Sequence, residues 1–262
     1  MIKVAVVGCC GRMGSEVMRA VTKEPDMQIS AAIDLVDCGQ DAGVRAGLPP
    51  NGVLIEKDLE KALSEVKPDV LVDFTKATAA KESIAGALSK GVAAVVGTTG
   101  LSEQDLSQLG RIAEDSKTPL FIAPNFAIGA VLLMKFAKEA ARHFSWAEIV
   151  ELHHEKKLDA PSGTALRTAE LLSQGRDNFE APPSEDEKIP GVRGGNVGNI
   201  RIHSIRLPGL VAHQEVLFGG QGQVLSIRHD SMNRESFMPG VVLAIRKVRT
   251  LQGLVVGLEH LL

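Results

Sequence analysis

Short apolar runs alternate with amphipathic stretches through the first half of the chain, and that alternation predicts repeated strand-helix units around a parallel sheet. The runs at 2–7, 28–33, 69–74, 93–97 and 120–123 are rich in Val, Ile, Ala and Leu and are bounded by Gly, Pro or Asp. Buried strands have this form. Between them, 13–22, 57–65, 77–89 and 102–115 repeat apolar residues every three or four positions and predict helices. Ser102 followed by Asp105 resembles a capping box with Asp in place of Glu.

The character changes after Pro124. A helical stretch at 128–143 leads into an alternating run at 148–153, and a further helix is expected over 163–174. Residues 175–199 collect Gly, Pro, Asn and charge, including Pro182-Pro183 and Gly194-Gly195, and predict a mobile surface loop. The runs at 201–207, 211–218 and 223–229 read as antiparallel strands joined by turns at Pro208-Gly209 and Gly219-Gly220. The final stretch, 235–250, has helical spacing. The expected fold is therefore α/β. A Rossmann-type, parallel-sheet dinucleotide-binding domain over 1–126 carries the C-terminal helical segment 235–262, and an α+β substrate and oligomerisation domain with an open mixed sheet spans 127–234.

Composition narrows the function classes. With 262 residues, 44% hydrophobic and 23% charged, the chain has enough apolar surface to fold. Aromatics are only 3%, so the core must be aliphatic, which suits a parallel sheet covered by helices. The 29 basic and 32 acidic residues give a formal charge of -3 and no positive field for a phosphate backbone, so no nucleic-acid partner is expected. No apolar run approaches the roughly 20 residues that span a bilayer, and no membrane partner is expected either. The start lacks a signal-peptide pattern, which implies a cytoplasmic protein. Cys9, Cys10 and Cys38 match neither a disulfide framework nor a zinc site and read as small buried hydrophobes.

Gly8-Cys9-Cys10-Gly11-Arg12-Met13-Gly14 follows the first strand and opens the first helix. Glycines there permit a tight turn and let backbone N–H groups approach a pyrophosphate at the helix N-terminus. Asp34 ends the second strand, where a carboxylate can bond a ribose hydroxyl. Its charge favours NADH, whereas Arg12 in the loop can offset a 2′-phosphate, so use of both NADH and NADPH is expected. Gly97-Thr98-Thr99-Gly100 and Ala123-Pro124-Asn125-Phe126 fall at the carboxyl ends of later strands, the edge at which such sheets bind ligands.

The densest cluster runs from Glu151 to Ala165: E-L-H-H-E-K-K-L-D-A-P-S-G-T-A. Ser162 is a natural N-cap, so the N–H groups of Gly163 and Thr164 point outward as a receptor for a carboxylate. Lys157, His153 and His154 would surround that anion or donate protons to it. A shared metal is disfavoured, because adjacent residues on a strand point to opposite faces, and no metal ligands are assigned. The same geometry sets a condition: for both histidines to serve one cleft, the strand must end or twist near His153.

This stretch resembles the E-x-H-H-x-x-K-x-D-x-P-S-G-T-A signature of the 4-hydroxy-tetrahydrodipicolinate reductase family. G-C-C-G-R-M-G, V-D-F-T, V-V-G-T-T-G, A-P-N-F and the late R-x-x-F-x-x-G resemble that family's other motifs in the same order. The resemblance implies NAD(P)H-dependent reduction of a cyclic dicarboxylate in the route to diaminopimelate and lysine, by a homotetramer built through the sheets of its substrate domains. It implies that His153 is the acid/base histidine and Lys157 the proton-donating lysine, with His154, Gly163 and Thr164 on the substrate. Cofactor contacts fall on Gly8, Cys9, Cys10, Gly11, Arg12, Met13, Asp34, Gly97, Thr98, Thr99, Ala123, Pro124, Asn125 and Phe126. Leu35 stands where some members carry a basic residue. Other two-domain reductases remain as alternatives: an aspartate-semialdehyde dehydrogenase needs a nucleophilic cysteine in the second half, which is absent, and a homoserine-dehydrogenase-like enzyme leaves the His-Lys cluster without a role. A non-enzymatic NAD(P) sensor would need neither the acid nor the anion cradle.

Overall fold

The computed structural model describes residues 1–181 and 186–262, so Pro182 and Pro183 of the expected loop lie outside the described residues. The chain divides into two compact units, Met1–Phe126 with Phe237–Leu262, and Ala127–Ser236.

The first unit contains β1 (Ile2–Val7), α1 (Arg12–Lys23), β2 (Met27–Ile33), α2 (Ala42–Arg45), β3 (Ile55–Glu56), α3 (Leu59–Val66), β4 (Val70–Asp73), α4 (Ala77–Ser89), β5 (Ala93–Val96), α5 (Glu103–Asp115) and β6 (Leu120–Ile122). Every residue of β4, β5 and β6 is buried, which explains their continuous apolar runs: a strand covered by helices on both faces has no polar side. One face packs Ala5, Leu71, Ala94 and Val96 against Leu63, Ile84, Leu88 and Leu109. The Ser102–Asp105 capping box at the start of α5 is present with both of its hydrogen bonds.

Adjacent strands of this sheet are parallel, and from β3 inward their order is 3-2-1-4-5-6, the doubly wound arrangement. The order reverses between β1 and β4, so the loops leaving their carboxyl ends flank a crevice. The expected C-terminal helical segment is continuous over 234–250, but only its middle is α-helical: a 3-10 turn at Arg234–Phe237 leads into α8 at Met238–Lys247 and a second 3-10 turn at Val248–Thr250. The chain then adds a seventh strand at Leu254–Val256, parallel to β6. Three residues are too few for a periodicity reading to register.

The second unit is α+β. It contains α6 (Ile128–Ala140), β7 (Trp146–His153), α7 (Gly163–Gly175), β8 (Gly195–Val197), β9 (Ile200–Arg206), β10 (Ala212–Gly220) and β11 (Gln223–Ser231). The five strands form a mixed sheet in the order β11-β10-β7-β9-β8. Here one expectation is corrected. The runs on either side of Pro208-Gly209 do not pair as a hairpin: β7 lies between them, parallel to β9 and antiparallel to β10. Only β10 and β11 form the expected hairpin. The Gly-rich stretch after α7 also contributes a strand, β8, antiparallel to β9. Inward positions Ala147, Ile149, Val216, Phe218, Ile200 and Ile202 are buried, while Trp146 and Val224, which flank Gly219 on the opposite face, stay exposed.

Candidate functional site

In the first unit, β1 ends in Gly8 with φ of +74°, a conformation open to glycine. A Cβ on Gly14 would stand 2.0 Å from the Gly8 carbonyl oxygen, so only glycine lets α1 approach the turn this closely. Gly11 caps α1 without a side-chain bond, leaving the first-turn N–H groups directed beyond the helix end. The Cys10 N–H donates to Asp34 Oδ2 at 2.9 Å, which joins the Gly-rich turn to the end of β2. Such a cradle fits a dinucleotide: small turn residues, an uncapped helix end for pyrophosphate, and a carboxylate at the second strand.

Two further cofactor candidates turn out to have structural work. Thr98 is buried and its hydroxyl donates to Asp73 Oδ1 at 3.0 Å, a carboxylate that also accepts from the Thr75 N–H and hydroxyl and from Ser83. Phe126 is buried against Phe74 and Phe121, with ring centroids 5.5 and 6.0 Å away. Their main chains, with exposed Thr99 and Pro124, are what these loops can present at the strand ends. Arg12 is exposed, as an offset to a 2′-phosphate requires. Sequence reasoning missed Arg45, whose Nε pairs with Asp37 and whose Nη2 lies 3.4 Å from the Cys10 carbonyl oxygen, a cation at the Gly-rich turn. The expectation that all three cysteines are buried is also corrected: Cys9 is buried, Cys10 partly so, and Cys38 exposed.

In the second unit, β7 stops at His153 and the chain turns, with the Lys157 N–H donating to the His154 carbonyl at 3.1 Å. The condition set by strand geometry is met. Ser162 caps α7 by accepting from the Ala165 N–H at 3.2 Å, and a Cβ on Gly163 would meet nothing within 4 Å, so the first turn of α7 opens onto free space. The Thr164 carbonyl accepts from the Thr168 hydroxyl inside the helix. Lys157 Nζ is held by both oxygens of Asp159, at 2.8 and 2.9 Å.

Beneath this loop lies Glu151, fully buried two residues before His153 and therefore on the same face of β7. Arg206 donates to it through both terminal nitrogens, at 2.8 Å to Oε1 and 3.0 Å to Oε2. His153 Nδ1 and the Ser162 N–H bond the same carboxylate. Burial by itself would raise Glu151, but the hydrogen bonds from His153, Arg206 and Ser204 outweigh it and hold its carboxyl at about 2. An ionised carboxylate only accepts, so Nδ1 carries the proton and Nε2 is the nitrogen left for chemistry. Arg206 also donates to the Asp159 carbonyl at 2.7 Å, so one buried ion pair fixes the histidine, the helix cap and the Lys-Asp loop together.

A doubly wound sheet with a dinucleotide cradle, joined to a mixed sheet that carries an oriented histidine, a lysine and an open helix N-terminus, defines a two-unit nicotinamide-dependent oxidoreductase. Sequence comparison resolves the class. The family model described as dihydrodipicolinate reductase, N-terminus, matches residues 2–126, and its C-terminal counterpart matches 129–262. A 4-hydroxy-tetrahydrodipicolinate reductase from Moorella thermoacetica is 49% identical, with 100% of this chain and 98% of that protein covered. One from Desulfitobacterium hafniense is 50% identical with the same coverage. The structure of dipicolinate-bound dihydrodipicolinate reductase from Paenisporosarcina sp. TG-14 is 44% identical and covers 100% of both chains at a TM-score of 0.89. The chain belongs to the dihydrodipicolinate reductase family and is an NAD(P)H-dependent oxidoreductase. No helix among the described residues is long and apolar enough to cross a membrane.

Proposed function

We propose that 4-hydroxy-tetrahydrodipicolinate loses water to give dihydrodipicolinate, which the chain reduces with a hydride and a proton to tetrahydrodipicolinate, in the route to diaminopimelate and lysine. The observation that carries this reading is the buried Glu151, which orients His153 and at the same time fastens the N-terminus of α7. The NAD(P)H that the Gly-rich turn would hold would supply the hydride. The protein's part is to hold the two carboxylates and deliver the proton that follows.

One substrate carboxylate binds the main-chain N–H groups of Gly163 and Thr164, where the helix dipole favours negative charge, with His154 as a further donor. Lys157 is the proton donor. Asp159 holds its ammonium in place, and the hydrogen bond from Lys157 holds the Asp159 carboxyl below the usual carboxylate range. His153 acts as acid/base through Nε2 while Glu151 fixes its tautomer. Gly8 through Met13 would cradle the pyrophosphate, Asp34 would bond the adenosine ribose, and the main chains at Gly97–Thr99 and Ala123–Phe126 would line the nicotinamide end. The enzyme works in the cytoplasm as a homotetramer, supported by the open face of the mixed sheet, where Trp146 and Val224 remain exposed.

The test is Lys157→Ala. Loss of a general acid lowers turnover by about 10²-fold or more while NADH affinity stays unchanged. His154→Ala chiefly raises KM. Normal turnover in Lys157→Ala contradicts the assignment.

A further inference from the structure

The vicinal thiols of the Gly-rich turn have no role in hydride transfer, yet they are placed as a pair. Cys9 Sγ and Cys10 Sγ lie 3.9 Å apart, and a carboxylate oxygen of Asp34 is within 4.8 Å of both. Two thiolates on one tetrahedral zinc-type ion, each at about 2.3 Å, stand about 3.8 Å from each other, so the pair needs almost no movement to hold a metal. Cys10 and Asp34 are partly exposed, which leaves an open side through which an ion and its remaining water ligands can enter. Asp34 is fixed in place by the Cys10 N–H at 2.9 Å and the Leu35 N–H at 2.7 Å, and its oxygens retain lone pairs for a cation. Sequence spacing does not show this site, because the third ligand is 24 residues from Cys10 and arrives through the pairing of β1 with β2.

We propose that Cys9, Cys10 and Asp34 form a site for a thiophilic divalent cation, such as Zn²⁺ or Cd²⁺, and that its occupation and dinucleotide binding exclude each other. On binding, two S–H bonds break, two metal–sulfur bonds form and two protons pass to solvent, with no change in oxidation state. Soft thiolate ligands select such ions over Mg²⁺ or Ca²⁺. The exclusion rests on the reading that Asp34 receives the ribose: an ion bound there takes that carboxylate and places its water shell in the ribose subsite. Metal would thus inhibit from the cofactor side, competitively with NADH.

The experiment titrates the reduced full-length protein with Cd²⁺ and follows cadmium–thiolate charge-transfer absorbance, with NADH binding measured separately by fluorescence. One Cd²⁺ per chain is expected, with the band lost in Cys10→Ser and retained in Cys38→Ser. At Cd²⁺ ten times its own dissociation constant, the apparent Kd for NADH rises about 11-fold, as competition requires. Absence of the band, or its survival in Cys10→Ser, overturns the site. If the band forms normally but NADH affinity does not change, the exclusion is overturned and with it the placement of ribose at Asp34, whereas the metal ligands stand.

Discussion

Glu151 is fully buried in the second unit and is bound by Arg206, His153 and the Ser162 N–H together. The sequence places Glu151 and Arg206 55 residues apart, with nothing in either segment to announce the contact; the parallel pairing of β7 with β9 sets Arg206 opposite His153 and brings it onto the carboxylate. Glu151 and His153, at i and i+2 on a strand, share a face, but no role for Glu151 was legible in the sequence; its contact with His153 appears only in the structure. Replacing Glu151 with Gln leaves the half-buried Arg206 without its counter-charge, a loss on the order of 3 kcal/mol near neutral pH. The pH dependence has a definite sign. Because the carboxyl sits at about 2 in the folded state, below its ordinary value of 4.5, its stabilisation is present above about 4.5 and fades as pH falls toward 2. Urea unfolding of the parent and Glu151→Gln should therefore show a gap that narrows across that window. A gap independent of pH contradicts the ionised, paired carboxylate.

Two helix N-termini do different work, and their glycines separate them. At α1, Gly14 is packed against the Gly8 carbonyl, so Gly14→Ala must push the helix off the turn. Overpacking of this kind costs about 1–3 kcal/mol, and NADH affinity should fall by roughly an order of magnitude or more with the dinucleotide cradle. At α7, Gly163 faces open space, so Gly163→Ala should keep both the melting temperature and the NADH Kd while raising KM for substrate. Calorimetry and NADH titration on the two variants test the contrast; equal loss of NADH binding in both contradicts it. Both helix starts were visible in sequence through Gly-rich and Pro-Ser-Gly-Thr signals. The two-residue β3, the three-residue β8 and the final three-residue strand were not, because they are shorter than any period that could reveal them. The insertion of β7 between β9 and β10 was hidden for another reason: a two-residue turn signal reports a reversal of direction, not which strand comes to lie alongside.

At the scale of the whole chain, the proposed function divides the chemistry between the two halves. The first presents a Gly-rich turn and the Asp34 carboxylate proposed for the dinucleotide; the second presents the open start of α7, an oriented imidazole and an ammonium proposed for the substrate. Neither half is sufficient for the reaction, and a nucleotide sensor would need only the first. Substrate-dependent turnover therefore separates an enzyme from a sensor more directly than any binding measurement. The decisive assay follows loss of reduced nicotinamide absorbance with substrate generated in situ by dihydrodipicolinate synthase, using NADH and NADPH in turn. Oxidation that begins only when the synthase is active, proceeds with both cofactors and drops about 10²-fold in Lys157→Ala is the predicted result. Failure of the parent protein to oxidise either cofactor under those conditions, while binding NADH normally, would contradict the account.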